Sequence, residues 1–335
     1  MALASGASPK GSNTAASNHP FLAVMLSRHD LTTPSRQDKN AGNSGDLVKH
    51  SVYLAMLDEL VRRGRKAHVV EAHGGKGAYV SSNPHLRKAQ QAVQYSTSAL
   101  GRAQAECFAP APDGLGAVSD LADAEIAYAG SGALHASAVA TGLAESLELL
   151  DSDAGVRSVA DRVFSEDCFS KVRGNLRTTD PAGPSEPMVL SRLKGGASGP
   201  AHVLHLDPFA FVMAPEDAPM RALYRDLIRE CDARVHQHGL AAASVFFTWG
   251  SNNAAAKNDL FEAGYGGGLD DGYQALIASV HPDQRIVITW CWELYFSLLF
   301  IVPAGSRERV GRAVVTDLAW LKPFMRLIEV DYGGA

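Results

Sequence analysis

An acidic residue followed by closely spaced glycines is the first feature of this sequence that could do chemistry. It occurs in Glu71-Ala72-His73-Gly74-Gly75-Lys76-Gly77. Gly75 and Gly77 allow the backbone to turn tightly and to approach a ligand closely. The segment lacks the full spacing of the dinucleotide fingerprint, and no Ser or Thr follows Lys76 as in a phosphate-binding P-loop. A plain glycine turn explains the segment equally well when it is taken alone.

A carboxylate at the end of an apolar segment is the second such feature. His202-Val203-Leu204-His205-Leu206-Asp207 is predicted to be a strand, and Pro208, Phe209 and Ala210 follow it. In open α/β sheets, ligands bind at the carboxyl ends of the strands. There the Asp207 carboxylate could accept a hydrogen bond from a substrate amine and orient the nitrogen lone pair towards a methyl group. The alternative is a strand-terminating Asp-Pro turn.

A polar, glycine-containing stretch that leads into a helix is the third feature. Its sequence is Asn40-Ala41-Gly42-Asn43-Ser44-Gly45-Asp46-Leu47-Val48-Lys49-His50. This composition is typical of a structured loop beside a site. The alternative is a helix N-cap at Asp46 with Lys49 and His50 on the surface.

The elements that would position these segments alternate between helices and strands. Apolar residues at helical spacing predict helices over 46–63 and 220–238. Apolar, β-branched and aromatic runs predict strands over 67–71, 202–207 and 242–249, and a hairpin or strand pair over 285–292 and 294–302. Near-continuous apolar strands that alternate with helices indicate an α/β fold with a doubly wound, mostly parallel sheet.

Composition divides the chain into a short tail and one large domain. Residues 1–20 are rich in Ala, Ser, Gly and Asn, which predicts a disordered tail. This tail contains no apolar region of a secretory signal. Residues 21–335 are expected to form one domain. Within it, the stretch 178–200 is dense in Pro, Gly and Ser, and is predicted to be a mobile surface loop.

The bulk properties argue against several classes of protein. The 36 acidic residues outnumber the 31 basic ones, giving a net charge of −5, whereas proteins that grip nucleic acid usually have a basic surplus. The four cysteines lie far apart and share no metal-ligand spacing, so no metal site is predicted. The longest apolar runs are too short to span a bilayer. We therefore expect a cytoplasmic protein without a membrane partner.

Taken together, several segments resemble the bacterial large-subunit (23S) rRNA adenine N6-methyltransferase J (RlmJ) family. The stretch 40–50 resembles that family's His-Ala-Gly-Asn-x-Ala-Asp-x-x-Lys-His block. The stretch 71–79 resembles its Asp-Thr-His-Ala-Gly-x-Gly-x-Tyr loop. Shorter similarities are Tyr128-Ala129-Gly130-Ser131, Leu147-Glu148-Leu149, Phe300-Ile301-Val302-Pro303 and Leu318-Ala319-Trp320-Leu321. The resemblance covers most of the chain from about residue 25.

The resemblance implies a Rossmann-like class I methyltransferase fold that binds S-adenosylmethionine (SAM). The acidic start of the glycine segment fits such a loop, because SAM presents a sulfonium and an amino acid rather than a pyrophosphate. The residues expected to bind the cofactor are Lys49, His50, Glu71, His73, Gly75, Gly77, Ser131, Glu148 and, less directly matched, Asp167.

The spacing between Glu71 and Glu148 predicts an insertion. In a minimal methyltransferase, the acidic residue that holds the ribose hydroxyls lies one βα unit after the glycine loop. Glu148 lies much further along the chain. The intervening residues, about 82–127, are therefore expected to form a small helical insertion.

The chain departs from the family pattern in its catalytic block. The family has Asp-Pro-Pro-Tyr, in which the aromatic ring stacks on the extruded base. Here the block is Asp207-Pro208-Phe209-Ala210, and Asn40 replaces the family's first His. Asp207 is predicted to be catalytic. The residues expected to contact the substrate are Asn40, Pro208, Phe209, Ala210 and Trp249.

Three functions follow from these observations. The first is a SAM-dependent methyltransferase that N-methylates a small nitrogen-containing metabolite in biosynthesis, which the altered block and the acidic balance favour. The second is a 23S rRNA adenine N6-methyltransferase that keeps the family activity. The third is a SAM- or RNA-binding module without catalysis, against which the retained Asp207 argues.

Overall fold

The computed structural model describes most of the domain. The described residues are 44–81, 108–109, 126–194, 201–206, 219–238, 241–249, 271–291, 295–303, 305–319 and 327–332. The predicted tail 1–20, Asn40, most of the predicted insertion 82–127 and the block 207–210 lie outside them. Trp249 lies in a described strand, but its side chain is outside the description.

Among the described residues, eight strands form one large sheet. They are β1 (Ala67–Glu71), β5 (Ala144–Leu150), β6 (Leu176–Thr179), β7 (Ala201–Leu206), β8 (Ala241–Trp249), β9 (Arg285–Cys291), β10 (Tyr295–Ile301) and β11 (Leu327–Asp331). Their order is β6-β5-β1-β7-β8-β10-β9-β11. β6, β5, β1, β7, β8 and β9 point one way, whereas β10 and β11 run in the opposite direction. The predicted strands, the hairpin and the mostly parallel sheet are confirmed.

Helices cover both faces of this sheet. They are α1 (Ser44–Arg62), α2 (Ser131–Ala140), α3 (Ala154–Phe164), α4 (Glu186–Lys194), α5 (Pro219–His238), α6 (Asp271–Ser279) and α7 (Arg307–Leu318). One buried layer packs α1, α2, α3 and α7 against the sheet, and a second layer packs α4, α5 and α6 against the other face. Successive side chains of a strand pack alternately into the two layers, as Val69 and Val70 do. A strand buried on both faces is apolar throughout, which is why the sequence pattern located these strands.

The order in which strands are added to the sheet reverses at β1. β5 lies beside β1 on one side, and β7 lies beside it on the other, both parallel to it. Open α/β sheets bind ligands at such a switch point, outside the carboxyl ends of the strands. The segments that follow β1, β5, β6 and β7 are therefore the candidates for binding a ligand.

Three short strands form a second sheet. β2 (Ala78–Ser81), β3 (Phe108–Ala109) and β4 (Ile126–Ala129) pair antiparallel in the order β2-β4-β3. The few described residues of the predicted insertion are therefore strand residues. The helices predicted for the rest of that insertion lie outside the described residues.

The structure corrects the loop predicted over 178–200. Its first residues end β6, and Glu186–Lys194 form the helix α4. Pro187 lies in the first turn of that helix, where its missing N–H costs no intrahelical hydrogen bond. Val189 and Leu193, four residues apart, are buried against the sheet. The density of Pro, Gly and Ser thus concealed a helix start.

No helix in the described part of the chain is long and apolar enough to cross a membrane.

Candidate functional site

Carboxylates lie at the carboxyl edge of neighbouring strands in the large sheet. In spatial order, the residues that end or directly follow β6, β5 and β1 are Asp180, Asp151 and Glu71. Next in the sheet, β7 ends at Leu206, one residue before the predicted catalytic Asp207, which lies outside the described residues. Adjacent strands are about 4.8 Å apart. The ends of these four strands therefore lie side by side at the edge where open α/β sheets bind ligands in a crevice.

The glycine segment after β1 forms a tight loop against β5 and α2. Gly75 and Gly77 have φ angles of 55° and 73°, in the left-handed region that favours glycine. A Cβ added to Gly74 would lie 2.0 Å from Leu149 Cγ, so the loop backbone rests directly on β5. The Gly130 N–H donates to the Gly77 carbonyl at 2.8 Å, which ties the loop to the start of α2. The predicted loop geometry is thus present.

Asp151 faces this loop, although sequence reasoning did not select it. It directly follows β5 and accepts a hydrogen bond from the Asp153 N–H at 2.8 Å. The Gly75 N–H also bonds its carboxylate, and burial raises the pKa of Asp151 above its ordinary value. Asp153 caps α3 by accepting from the N–H groups of Gly155 and Val156. A carboxylate two residues before a helix cap, at a strand end, was the signal in the sequence.

Glu148 lies within β5, two residues before the strand ends. It is 1% exposed and belongs to the face of the sheet that α4 covers. Its carboxylate accepts hydrogen bonds from both Nη atoms of Arg192, from Arg177 Nη2 at 2.7 Å and from Thr179 Oγ1 at 2.7 Å. Burial alone would raise the pKa of Glu148, but its bonds to His68 and these donors hold that pKa well below the usual range. The carboxylate is already surrounded by protein donors.

Asp167 lies at the other edge of the sheet. It begins a short 3-10 helix that precedes β6, so it sits at the amino end of that strand. The structure therefore separates Asp167 from the glycine loop. The acidic residue at the carboxyl end of β6 is instead Asp180, which pairs with Arg157 at 2.8 Å.

Lys49 and His50 lie on α1, which runs antiparallel to β1 and so begins near the crevice. Both are buried, with 4% and 1% exposure, which excludes the alternative that they are surface groups. Lys49 Nζ lies 2.9 Å from Asp46 Oδ1. Burial, followed by the charge of Lys49, lowers the pKa of His50 well below its ordinary value. Asp46 lies within the first turn of α1 rather than at its cap.

Glu71 and Ser131 are brought together, as the sequence predicted for residues of one site. Ser131 Oγ donates to Glu71 Oε2 at 2.6 Å, and His135 Nδ1 lies 2.6 Å from Glu71 Oε1. Glu71 has no exposed surface, while Ser131 is partly exposed at the start of α2. Neither His135 nor His205, which also lies near Glu71, was selected from the sequence.

The His73 side chain extends from the glycine loop to α4, on the other face of the sheet from α2. Its Nε2 lies 3.1 Å from Glu186 Oε1, and the same oxygen accepts the Tyr224 hydroxyl at 2.7 Å. Burial alone would raise the pKa of Glu186, but the bond to His73, its charge and the Tyr224 hydroxyl lower that pKa to about 2. His73 remains 29% exposed in the loop that follows β1.

Among the described residues, no group of three or more His, Cys, Asp or Glu side chains is arranged to hold a metal ion.

Comparisons with known proteins identify the fold. No family model matches the chain, and no curated protein matches it. Among solved structures, protein LPL1258 from Legionella pneumophila str. Philadelphia 1, described with the family DUF519, matches with a TM-score of 0.53 and 12% identity. That match covers 87% of this chain and 98% of the Legionella chain.

Two further matches are to methyltransferases, at lower TM-scores. The human methyltransferase 10 domain containing protein has a TM-score of 0.36 and 9% identity, over 85% of this chain and 94% of its own. A geranyl diphosphate methyltransferase in complex with SAM has 0.31 and 10%, over 78% and 92%. The mostly parallel sheet with helices on both faces is a doubly wound, Rossmann-like α/β fold.

Proposed function

We propose that this protein is a SAM-dependent methyltransferase whose cofactor lies along the carboxyl edge of β6, β5, β1 and β7. The observation that carries this proposal is the row of groups at that edge. A glycine loop with two left-handed glycines follows β1, and the carboxylates of Asp151 and Asp180 follow the two strands beside it. Carboxylates suit a ligand that offers ribose hydroxyls and a positive sulfonium, whereas they would repel a pyrophosphate.

Each part of the ligand has a matching group. Asp151, next to the loop, is positioned to accept hydrogen bonds from the ribose hydroxyls, the role first expected of Glu148. Asp180, which directly follows β6, is proposed to border the adenine. The loop from His73 to Gly77 and the start of α2 would hold the amino-acid end, because helix N-termini bind carboxylates. The left-handed φ angles of Gly75 and Gly77 and the close contact of Gly74 with Leu149 fix the tight turn of this loop.

Asp207 is the residue proposed to act on the acceptor. Bound SAM supplies a methyl group on a sulfonium, which is already an activated electrophile. Asp207 therefore only needs to accept a hydrogen bond from the acceptor nitrogen and to orient its lone pair. In the sequence it directly follows Leu206, the last residue of β7, and this adjacency supports the proposal. Asp207→Asn should lower turnover far more than it lowers SAM affinity.

The acceptor is proposed to be a small nitrogen-containing metabolite. Base stacking on an aromatic ring contributes about 1–3 kcal/mol, and this chain has Ala210 where the RlmJ family has a tyrosine. The net charge of −5 provides no surplus for phosphate contacts. Methylation of a 23S rRNA adenine is the competing function, and a SAM- or RNA-binding module without catalysis is the third.

Calorimetry with S-adenosylhomocysteine (SAH) tests the cofactor site. The full chain should bind SAH, and Asp151→Asn should weaken binding at least tenfold, since a charge-assisted hydrogen bond is worth about 1.5–3 kcal/mol. Asp153→Asn is the matched control, because Asn also caps helices well and the cap lies two residues further on. A folded wild-type protein without SAH affinity would refute the proposal.

Radiolabelled SAM distinguishes the acceptors. One reaction contains protein-stripped large-subunit rRNA, and a second contains a small-metabolite extract of the producing cell. Label in a small molecule, lost with Asp207→Asn, is the expected result. Efficient labelling of one rRNA adenine would establish the competing function instead. Label in neither, together with tight SAH binding, would support the module without catalysis.

A further inference from the structure

Four segments of the candidate site converge on one buried carboxylate. Glu71 ends β1 immediately before the glycine loop and has no exposed surface. Ser131 and His135 reach it from α2, and His205 reaches it from β7, two residues before Asp207. Tyr53 of α1 packs between the two imidazoles, with ring centroids 5.0 Å from His135 and 4.9 Å from His205. The cluster therefore joins the start of the loop to the elements around it.

The contacts leave Glu71 little capacity for another ligand. One oxygen accepts the Ser131 hydroxyl at 2.6 Å, and the other lies 2.6 Å from His135 Nδ1, which must donate because an ionised carboxylate only accepts. His205 Nδ1 lies 3.4 Å from Oε2, a longer ionic contact. A sequence-based assignment of Glu71 as a direct cofactor contact thus conflicts with how its oxygens are used.

The charges around the cluster favour a fixed, ionised Glu71. The ionisable groups that face it are His135, His205 and, from α1, Tyr53, His50 and Lys49. Burial alone would raise the pKa of Glu71, but the hydrogen bond of His135, the contact of His205 and the charges of the two imidazoles hold that pKa well below the usual range. Breaking a buried pair is costly because it leaves an uncompensated charge. The arrangement acts as a rigid anchor at the working pH.

We propose that Glu71 is a positioning residue which, through His135 and His205, holds the glycine loop, the start of α2 and the end of β7 in register. The proposal rests on the proposed function, because these three segments form the SAM crevice. His135 and His205 are then positioning residues too, and none of the three touches the cofactor.

The two ring nitrogens of His135 have different surroundings. Nδ1 bonds Glu71, whereas Nε2 has no hydrogen-bond partner among the described residues. The amide nitrogen of asparagine can replace Nδ1, while that of glutamine reaches the place of Nε2. An anchoring role therefore predicts that His135→Asn is tolerated and that His135→Gln is not.

Calorimetry with SAH on the full chain tests this prediction. Glu71→Gln and His135→Gln should each weaken SAH binding at least tenfold, and His135→Asn should stay within about threefold of the wild type. The double variant Glu71→Gln/His135→Gln should have the same SAH affinity as whichever single variant binds SAH less tightly, because both residues act through one contact. His202→Asn is the control, since His202 lies on β7 but contacts His68 on the other face of the sheet. Thermal unfolding confirms that each variant is folded at the assay temperature.

Hydrogen exchange without any ligand separates this proposal from the proposed function. In Glu71→Gln and His135→Gln, amides of 72–78 and 130–134 should exchange at least tenfold faster than in the wild type and in His135→Asn. If exchange is faster in these variants but the wild type does not bind SAH, the proposed function is refuted and the positioning role is supported. The positioning role is overturned if exchange stays unchanged, if His135→Asn binds as weakly as His135→Gln, or if the double variant loses the product of the two single losses.

Discussion

Glu148 and Asp151 show how position alone separates two carboxylates three residues apart. Glu148 points into the layer under α4 and is enclosed by arginines, whereas Asp151 stands at the strand end beside the glycine loop. Sequence reasoning selected Glu148 because Leu147-Glu148-Leu149 is similar to a family motif. The sequence alone does not show at which residue the strand ends. In the structure β5 continues to Leu150, and α3 begins after its N-cap Asp153, so Asp151 lies in the short connection between them.

Glu148→Gln should therefore affect stability more than ligand binding. The change removes the charge that Arg192 and Arg177 share, and we expect a loss of about 1–3 kcal/mol in the free energy of unfolding, since both arginines keep solvent contact. Urea denaturation measures this loss, and calorimetry with SAH should show a smaller loss of affinity than for Asp151→Asn. The reverse ranking of the two affinities would return Glu148 to the cofactor site.

Glu186 should make stability depend on pH in a defined window. Its pKa is about 2 in the folded protein and ordinarily 4.5, so its ionised form is favoured by folding. The stabilisation is complete above the ordinary value and is lost as the pH falls from 4.5 towards 2. Urea denaturation between pH 3 and 7 should show a stability difference between wild type and Glu186→Gln, on the order of 2–3 kcal/mol at neutral pH, that shrinks below pH 4.5.

A surface ion pair supplies the control for that experiment. Glu308 is 67% exposed and pairs with Arg312, which is 70% exposed. Pairs of this kind contribute little to stability. Glu308→Gln should differ from the wild type by less than about 0.5 kcal/mol at every pH. A pH-independent difference for Glu186→Gln would show that its carboxyl titrates normally.

At the scale of elements, segments with a strong apolar pattern were predictable and the others were not. β1 was located to the residue, and β7, β8, α1 and α5 to within two residues at each end, because strands buried on both faces and amphipathic helices leave strong patterns. β6, with four residues, and the small sheet β2-β4-β3 left no such pattern, since their stability depends on non-local pairing. α4 was concealed by Pro187 in its first turn.

The packing of the glycine loop on β5 should tolerate no extra methyl group at Gly74. Its Cβ would lie 2.0 Å from Leu149 Cγ, which is the branch point of that side chain and has no free room. We expect Gly74→Ala to lower the free energy of unfolding by about 1–3 kcal/mol and to weaken SAH binding. Thermal unfolding and calorimetry measure the two effects.

Two further variants make that experiment specific. Gly174→Ala is the control, because a Cβ there meets nothing within 4 Å. Adding Leu149→Ala to Gly74→Ala should recover part of the SAH affinity by removing the obstructing side chain. If Gly74→Ala behaves like Gly174→Ala, the loop does not rest on β5 as described.

For the whole molecule, the fold class followed from the alternation of helices and apolar strands, but the strand order did not. Which strands become neighbours depends on contacts between residues far apart in sequence, such as β1 with β5 and β7. The order matters for function because it places the ends of β6, β5, β1 and β7 side by side. Asp151 and Asp180 acquire their meaning only from that order.

The same order predicts which parts of the protein SAH should protect from hydrogen exchange. A ligand at this site contacts the glycine loop, the start of α2 and the segments after β5 and β6, so amides of 72–78, 130–134, 151–153 and 180–182 should exchange more slowly in its presence. β9 and β10 lie on the far side of β8, so 285–301 serves as the internal control and should change little. Mass spectrometry of the full chain with and without saturating SAH measures both regions. Protection confined to 285–301, or spread evenly over the sheet, would place the ligand elsewhere, because only a site at the switch point joins these four separate segments.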